Sequence, residues 1–404
     1  MKTIYSSPKV LTALLAIWYI LLYLPHLKLA EIPTSNGGIP ISLCYIFSLV
    51  FIPFLLLQLP KLRIPPWYIT GLYAFVILYG FWMMPAYGLK KGMLHWLFGS
   101  FLLLVLVNAA EFLKEEDWFR IVQIGVLTFF VLHLAFNIFH WKAVNAVVFG
   151  GETAASLPSL TRGGRNLDAS WLGLGCFLLR DRKVRFGCLL YSLGYSVLGV
   201  SRAGLLASGL CLVWVWIYDD QFGLRKRTAL LWAGVATVGA VTATATGMAQ
   251  RMLSRIFGSM GEGAISFLSG REAMWKNVWP MFQVHPFRVG VGNAIPVMRD
   301  EFGFASYEDV VHNVLFQWLL DEGFIGALWF VGLVLLLLYS QRNKRFKAPF
   351  PAYLGAYLIL SMVQFHGGEA LMIFVLGVYL ASQNQYVRLE LPRNLKFHRG
   401  KQRI

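Results

Sequence analysis

Five cationic or titratable side chains and one amide sit in motifs rich in small residues. Arg202 lies in "VSRAGLLASG", Arg271 in "SGREAMW", His285 and Arg288 in "VHPFRVGVGN", and His312 with Asn313 opens "HNVLFQWLLDEGFIG". An arginine keeps its charge at any working pH, and its planar fork donates two parallel hydrogen bonds, which suits diphosphate oxygens. An imidazole titrates near neutrality, so it can take a proton from a sugar hydroxyl. Asn313 can orient a neighbouring group. Ser201, Ala203 and Gly204 around Arg202 are small enough to let a backbone or ligand come close.

Each position also has a plain structural reading. Arg202 reads as a side chain snorkelling to an interface, Arg271 as a solvated loop charge, and His285 as a turn residue packed before Pro286. His312 reads equally as a capping or packing residue and as a base. The "GVGN" of Gly290–Asn293 marks a tight turn more readily than a phosphate loop, because no strand-to-helix context surrounds it. Asp321 and Glu322 follow His312 at i+9 and i+10, about 14 Å away along a continuous helix, too far to bond it directly. The eight histidines show no HxxxH or HExxH spacing. Without a GxSxG elbow, serine-hydrolase logic is also absent. Neither a metal nor a cofactor is expected.

Most of the chain is built to hold these groups in a membrane. It is 57% hydrophobic, 15% aromatic and 14% charged, against roughly 25% charged in an average soluble domain. Apolar stretches predict an all-α polytopic membrane protein with about twelve spans. They fall near 10–25, 39–58, 67–84, 93–112, 119–139, 169–180, 186–200, 204–218, 228–247, 324–340, 350–365 and 369–383. The sixth to eighth are short, cut apart by "RDRKVR" and "SRAG". Lys and Arg concentrate on alternate connections, which puts both termini in the cytoplasm, with Lys90-Lys91 as a local exception.

Two segments on the opposite side are longer than connectors need be. One is roughly 140–168; the other, 248–309, is expected to form a helical extracytoplasmic cap between spans nine and ten. Within it, "REAMWKNVWPMFQ" sets Met274, Val278 and Met281 on one helical face. His95 and His133 are the ionisable groups expected well inside spans. The net charge of +16 is mainly an orientation signal with contact to anionic membrane lipids. No nucleic-acid module is expected. Cys44, Cys176, Cys188 and Cys211 all fall in predicted spans and imply no disulfide framework. The opening apolar stretch lacks a small-residue cleavage site and reads as a retained first helix.

Taken in order, "GGRNLDASWLGLG", "SRAG", "GREAMWKNVWPMFQVHPFRVGVGN" and "HNVLFQWLLDEGFIG" before a span resemble the O-antigen ligase and polymerase superfamily. The likeness covers roughly residues 160 to 340. It implies glycan transfer from undecaprenyl diphosphate, on the outer face of a bacterial inner membrane, with inversion and without metal. For a ligase the acceptor is lipid A-core; for a polymerase it is another lipid-linked repeat. Arg202 matches the family's span-end arginine and Arg271 its loop arginine, both implied to hold the diphosphate. His312 matches the histidine implied to activate the acceptor hydroxyl. Arg288 stands where the family pattern has glycine, and is carried as an additional phosphate contact. Glycines 194, 199, 204 and 209 would open a groove for the lipid tail.

Three functions compete at this point: ligase, polymerase, and a transporter without catalysis. The last predicts charges at the bilayer midplane and inverted repeats, and the sequence displays neither.

Overall fold

The computed structural model of the chain describes residues 5, 7–32, 39–87, 91–150, 152, 156–218, 247, 271–287, 289–303, 310–341 and 348–389. The predicted ninth span lies outside these residues, apart from Gly247. The described architecture is helical. Among the described residues, four stretches are long and apolar enough to cross a membrane: Leu43–Lys61, Trp67–Ala86, Gly92–Ala109 and Glu115–Phe139. Shorter apolar helices include Pro8–Leu22, Arg202–Tyr218, Gly323–Gly332 and Ala370–Ser382.

Helix α1 (Pro8–Leu22) is followed by a ribbon of β1 (Lys28–Ile32) and β2 (Ile39–Ser42). The ribbon is a local exception in an otherwise helical architecture. The predicted second span begins as β2 and only then turns into α2 (Leu43–Ser48) and α3 (Phe51–Gln58). The "GGIP" before it favours a hairpin over a helix start, since glycine and proline both disfavour helix interiors. A second, two-residue ribbon pairs β3 (Arg63–Ile64) with β4 (Val387–Arg388).

After β3 run α4 (Trp67–Tyr87), α5 (Lys91–Ala109), α6 (Glu115–Phe139) and α7 (Trp141–Val148). Helix α6 starts with Glu115, Glu116 and Asp117, which complement the positive N-terminal end of its dipole, and Asp117 accepts from the Lys114 N–H. Then come α8 (Arg165–Gly175), α9 (Arg182–Leu198) and α10 (Arg202–Tyr218). Asp181 caps α9 by accepting from the Val184 N–H at 2.9 Å, which is why "RDRKVR" separates two helices.

Helix α8 opens the predicted sixth span, and a 3-10 turn over Cys176–Leu178 continues it. At eleven residues α8 is about 16 Å long, half the hydrocarbon thickness of a bilayer. Every residue from Asp168 to Gly175 is buried, so the helix is enclosed by protein. A Cβ on Gly173 would lie 2.6 Å from the Ala207 Cβ, and one on Gly204 would lie 2.4 Å from the Ala169 Cβ. Gly204 therefore serves close packing of α10 on α8 instead of opening a groove. Gly194 and Gly209 have nothing within contact distance of an added Cβ.

After the undescribed segment come four short helices: α11 (Arg271–Lys276), α12 (Val278–Val284), α13 (Ala294–Phe302) and α14 (Val314–Asp321). Met274, Val278 and Met281 are buried together with Ile295, Met298, Val311 and Leu320 in a small core of their own. Helices α15 (Gly323–Gln341), α16 (Pro349–Ser361) and α17 (Ala370–Ser382) complete the bundle.

Contacts along the helices fix which ends lie together. Tyr19 packs on Gly125 and stacks on Phe374, and Tyr23 stacks on Phe129. Higher on α6, His133 meets Asp168 at the start of α8. Gly99 of α5 meets Ile373, while Gly377 meets Leu103 and Leu106. The starts of α5, α8, α10 and α17 and the ends of α1, α6 and α16 therefore share one end of the bundle. The four short helices lie at that end too, for Gly92 contacts Val291 and Trp96 packs edge-on against Trp318.

Candidate functional site

His312 does not begin a helix. It adopts a left-handed backbone with φ of 57°, which is costly for a residue with a Cβ and persists only where the surroundings impose it. The surroundings do so from both sides. The Val311 N–H donates to the Gln317 Oε1 at 2.7 Å, and the Val311 carbonyl accepts from the Trp275 indole at 2.9 Å. On the other side Asn313 caps α14: its Oδ1 accepts from the Phe316 N–H at 3.1 Å.

The turn after α16 receives this assembly. The Asn313 Nδ2 donates to the Met362 carbonyl at 3.1 Å. The His312 Nδ1 lies 3.2 Å from the Gln364 carbonyl. Arg271, the first residue of α11, donates through Nη1 to the Val363 carbonyl and through Nη2 to the Gln364 Oε1, the latter at 3.2 Å. Three predicted site residues, Arg271, His312 and Asn313, thus converge on Met362–Gln364. A carbonyl oxygen only accepts, so the bond to Gln364 assigns the His312 proton to Nδ1 and leaves the lone pair on Nε2. That is the tautomer a base needs.

The turn is itself anchored. Glu369 accepts from the His366 N–H at 2.8 Å, from the Gly367 N–H at 3.1 Å and from the Tyr357 hydroxyl. Phe365 stacks on Trp171 and Tyr357. Gly367 has φ of 92°, and a Cβ there would lie 2.8 Å from Val314. No motif in the sequence marks residues 362–369 as part of a site. The signal available was the Gly-Gly pair of "FHGGEA" between two apolar runs.

Arg202 opens α10 at the same end of the bundle, half-buried, on a separate turn. That turn is strained and held: Val200 has φ of 48°, and the Arg165 Nε donates to the Gly199 carbonyl at 2.6 Å. The Ser201 Oγ accepts from the Gly204 N–H at 3.1 Å. Helix α10 packs on α8 and on α16, the helix that leads into Met362–Gln364.

His285 goes elsewhere. Its Nε2 pairs with Glu301 Oε2, tying the end of α12 to α13. Arg288 lies outside the described residues. Gly290 and Gly292 take φ of 78° and 77°, and a Cβ on Gly290 would lie 2.8 Å from Met83. These glycines serve a tight turn pressed against α4 and α5.

Two buried acids sit behind His312. Asp321 accepts from the Gln317 Nε2 at 2.6 Å and from the Ala294 N–H at 3.4 Å. Gln317 therefore links Asp321 to the peptide before His312, a connection that distance along a helix could not show. Burial pushes the Asp321 carboxyl up to about 6, against the opposing hydrogen bonds from Gln317, Gly292 and Ala294. Glu322 is raised well above the carboxylate range, first by burial and then by the Asp321 charge. Neither Glu322 oxygen has a hydrogen-bond partner among the described residues.

For a carboxyl raised in the folded state, the stabilising protonated form is fully present below about pH 4 and lost as pH rises through about 6. Asp321→Asn removes the charge but keeps only one of the two acceptor oxygens that serve Gln317 and Ala294, so its effect is read in the pH dependence of stability. The dependence of thermal unfolding on pH between about 4 and 6 should flatten. An unchanged pH slope in the variant would refute this account of Asp321.

His133 also acquires a partner. Its Nε2 is 3.5 Å from the Asp168 Oδ2, both side chains being fully buried, and its Nδ1 is 2.8 Å from the Tyr191 hydroxyl. Asp168 further accepts from the Leu160 and Thr161 N–H groups. Asp168 stands one residue before the predicted sixth span, so this buried pair joins a histidine of α6 to the head of α8.

Fold and site together define a helical membrane protein carrying guanidinium and imidazole groups on rigid turns at one end of its bundle. Residues 187–331 match the family model described as O-antigen ligase. Over that region the chain is similar to the O-antigen ligase superfamily, whose members are membrane glycosyltransferase-like ligases and polymerases acting on lipid-linked glycans. The match spans Arg202, Arg271 and His312 but stops short of Gln364. No curated protein matches the chain in sequence.

Proposed function

We propose that the protein transfers a glycan from undecaprenyl diphosphate to a sugar hydroxyl of lipid A-core, as an O-antigen ligase of the bacterial inner membrane. The site lies on the periplasmic face, with both termini in the cytoplasm and about twelve spans between. The convergence of Arg271 and His312 on Gln364 carries this reading. It sets a permanent cation beside an imidazole whose tautomer suits a base.

In the reaction, the His312 Nε2 takes the acceptor hydroxyl proton as the oxygen forms its bond to the anomeric carbon. The bond from that carbon to the diphosphate oxygen breaks on the opposite face, which inverts the centre. Arg271 and Arg202 stabilise the charge that develops on the departing lipid diphosphate, so the neutralisation comes from side chains. Asn313 orients His312. His285 supports the cap through Glu301, and Arg288 adds a further phosphate contact.

Purified protein supplied with lipid-linked glycan and two acceptors, lipid A-core and further lipid-linked repeats, tests the assignment. Lipid A-core is expected to gain glycan. Growth of the lipid-linked repeats alone would assign a polymerase, and growth of neither would remove transfer altogether.

A further inference from the structure

At the opposite end of the bundle lies a cavity of about 470 Å³ lined by Lys61, Arg63, Glu111, Asn384, Tyr386 and Arg388. We propose that this cavity binds the phosphate headgroup of an anionic membrane phospholipid. The proposal is independent of glycan transfer, because α5 runs between this end and the one holding His312.

The cavity is built around Arg63, which is 5% exposed. Asn108, fully buried near the end of α5, accepts from the Arg63 N–H at 3.0 Å and donates to the Arg63 carbonyl at 2.7 Å. A further bond, from the Leu389 N–H to the Leu62 carbonyl at 2.8 Å, extends the β3–β4 ribbon and brings Arg388 opposite Arg63. Residues more than three hundred positions apart are thereby joined to place two arginines side by side. Like charges in such proximity repel, which a ribbon serving only to close the fold would avoid.

Compensation is incomplete. The Arg63 Nη1 lies 3.1 Å from Glu111 Oε2 as an ion pair, and its guanidinium sits 5.1 Å from the Tyr386 ring centre. Its Nε is buried without a hydrogen-bond partner among the described residues. Lys61, Arg63 and Arg388 face Glu111 as the single carboxylate of the lining. An anion entering the cavity relieves the excess, and a phosphodiester oxygen pair matches an arginine fork.

The surroundings assign that phosphate to a lipid. Trp67, three residues beyond the ribbon, is 75% exposed, as expected of an aromatic anchor at headgroup level. Leu56, Leu59, Val387 and Leu389 are exposed apolar side chains nearby. They offer a path for acyl chains that a free phosphate would not use. Basic pockets at the ends of membrane helices bind anionic headgroups in this way.

Native mass spectrometry of the detergent-solubilised full chain, titrated with phosphatidylglycerol, phosphatidylcholine or inorganic phosphate, tests the site. Phosphatidylglycerol is expected to be retained in preference to phosphatidylcholine, and inorganic phosphate is expected not to displace it. Lys61→Ala with Arg388→Ala changes only exposed side chains and should weaken phosphatidylglycerol binding about tenfold. Glu111→Gln should strengthen it. Equal retention of the two lipids, displacement by phosphate, or unchanged phosphatidylglycerol affinity in both variants would overturn the proposal.

Discussion

Replacing His312 by alanine is expected to lower glycan transfer by about 10² to 10⁴-fold, the usual worth of a positioned general base. The protein should still insert in the membrane and keep its thermal transition, because the local fold does not hang on the imidazole. Val311 is held by Gln317 and Trp275, and Asn313 caps α14 whatever residue stands between them. The left-handed backbone at 312 would be strained for alanine as it is for histidine, so the substitution alters chemistry more than conformation.

Gln317→Ala is the complementary control. It leaves the imidazole in place but frees the Val311 N–H and removes the link to Asp321. The rate should fall while the shape of the pH–rate profile is kept. In His312→Ala the acidic limb of that profile should disappear, which separates a proton acceptor from a group that only positions the acceptor. Single-turnover transfer measured across pH reads both. A His312→Ala enzyme with the wild-type rate and profile would leave the reaction without its base.

The apolar pattern made the membrane class and most helix positions legible, because burial in lipid demands long unbroken runs. It is less telling where that demand is lifted. Helix α8 is short because protein encloses it, and no hydropathy window distinguishes protein from lipid around an apolar segment. The start of the second predicted span pairs as a ribbon, which glycine and proline foreshadowed.

For the site, residue type was informative and partnership was not. Arg271 and His312 were legible as chemistry-bearing groups, yet what unites them is Gln364, an ordinary amide in a turn more than fifty residues downstream of His312. Asp168 and His133 likewise meet only through the packing of α8 on α6. Nothing in the composition of either segment announces its partner.

Arg271 carries the second large effect. Its two terminal nitrogens serve different acceptors, the Val363 carbonyl and the Gln364 side chain, so the planar fork is already oriented before any substrate arrives. A lysine offers one nitrogen and cannot span both acceptors. Arg271→Ala is therefore expected to cost about 10² to 10³-fold in kcat, the scale found when a preorganised donor to a developing negative charge is removed. Arg271→Lys should recover only a minor part of that loss, although the charge is retained.

The loss should fall mainly on kcat, since the diphosphate gains charge as the glycosidic bond breaks and the arginine interacts most strongly with that state. Because Arg271 and His312 both bond Gln364, their effects should combine to less than the product of the single losses. Arg202→Ala, on its separate turn, should lower the rate without that coupling to His312. Steady-state rates of the single and double variants with lipid-linked donor decide the matter. Independent, multiplying losses from Arg271 and His312 would mean that the turn at Gln364 joins two side chains in space without joining their chemistry.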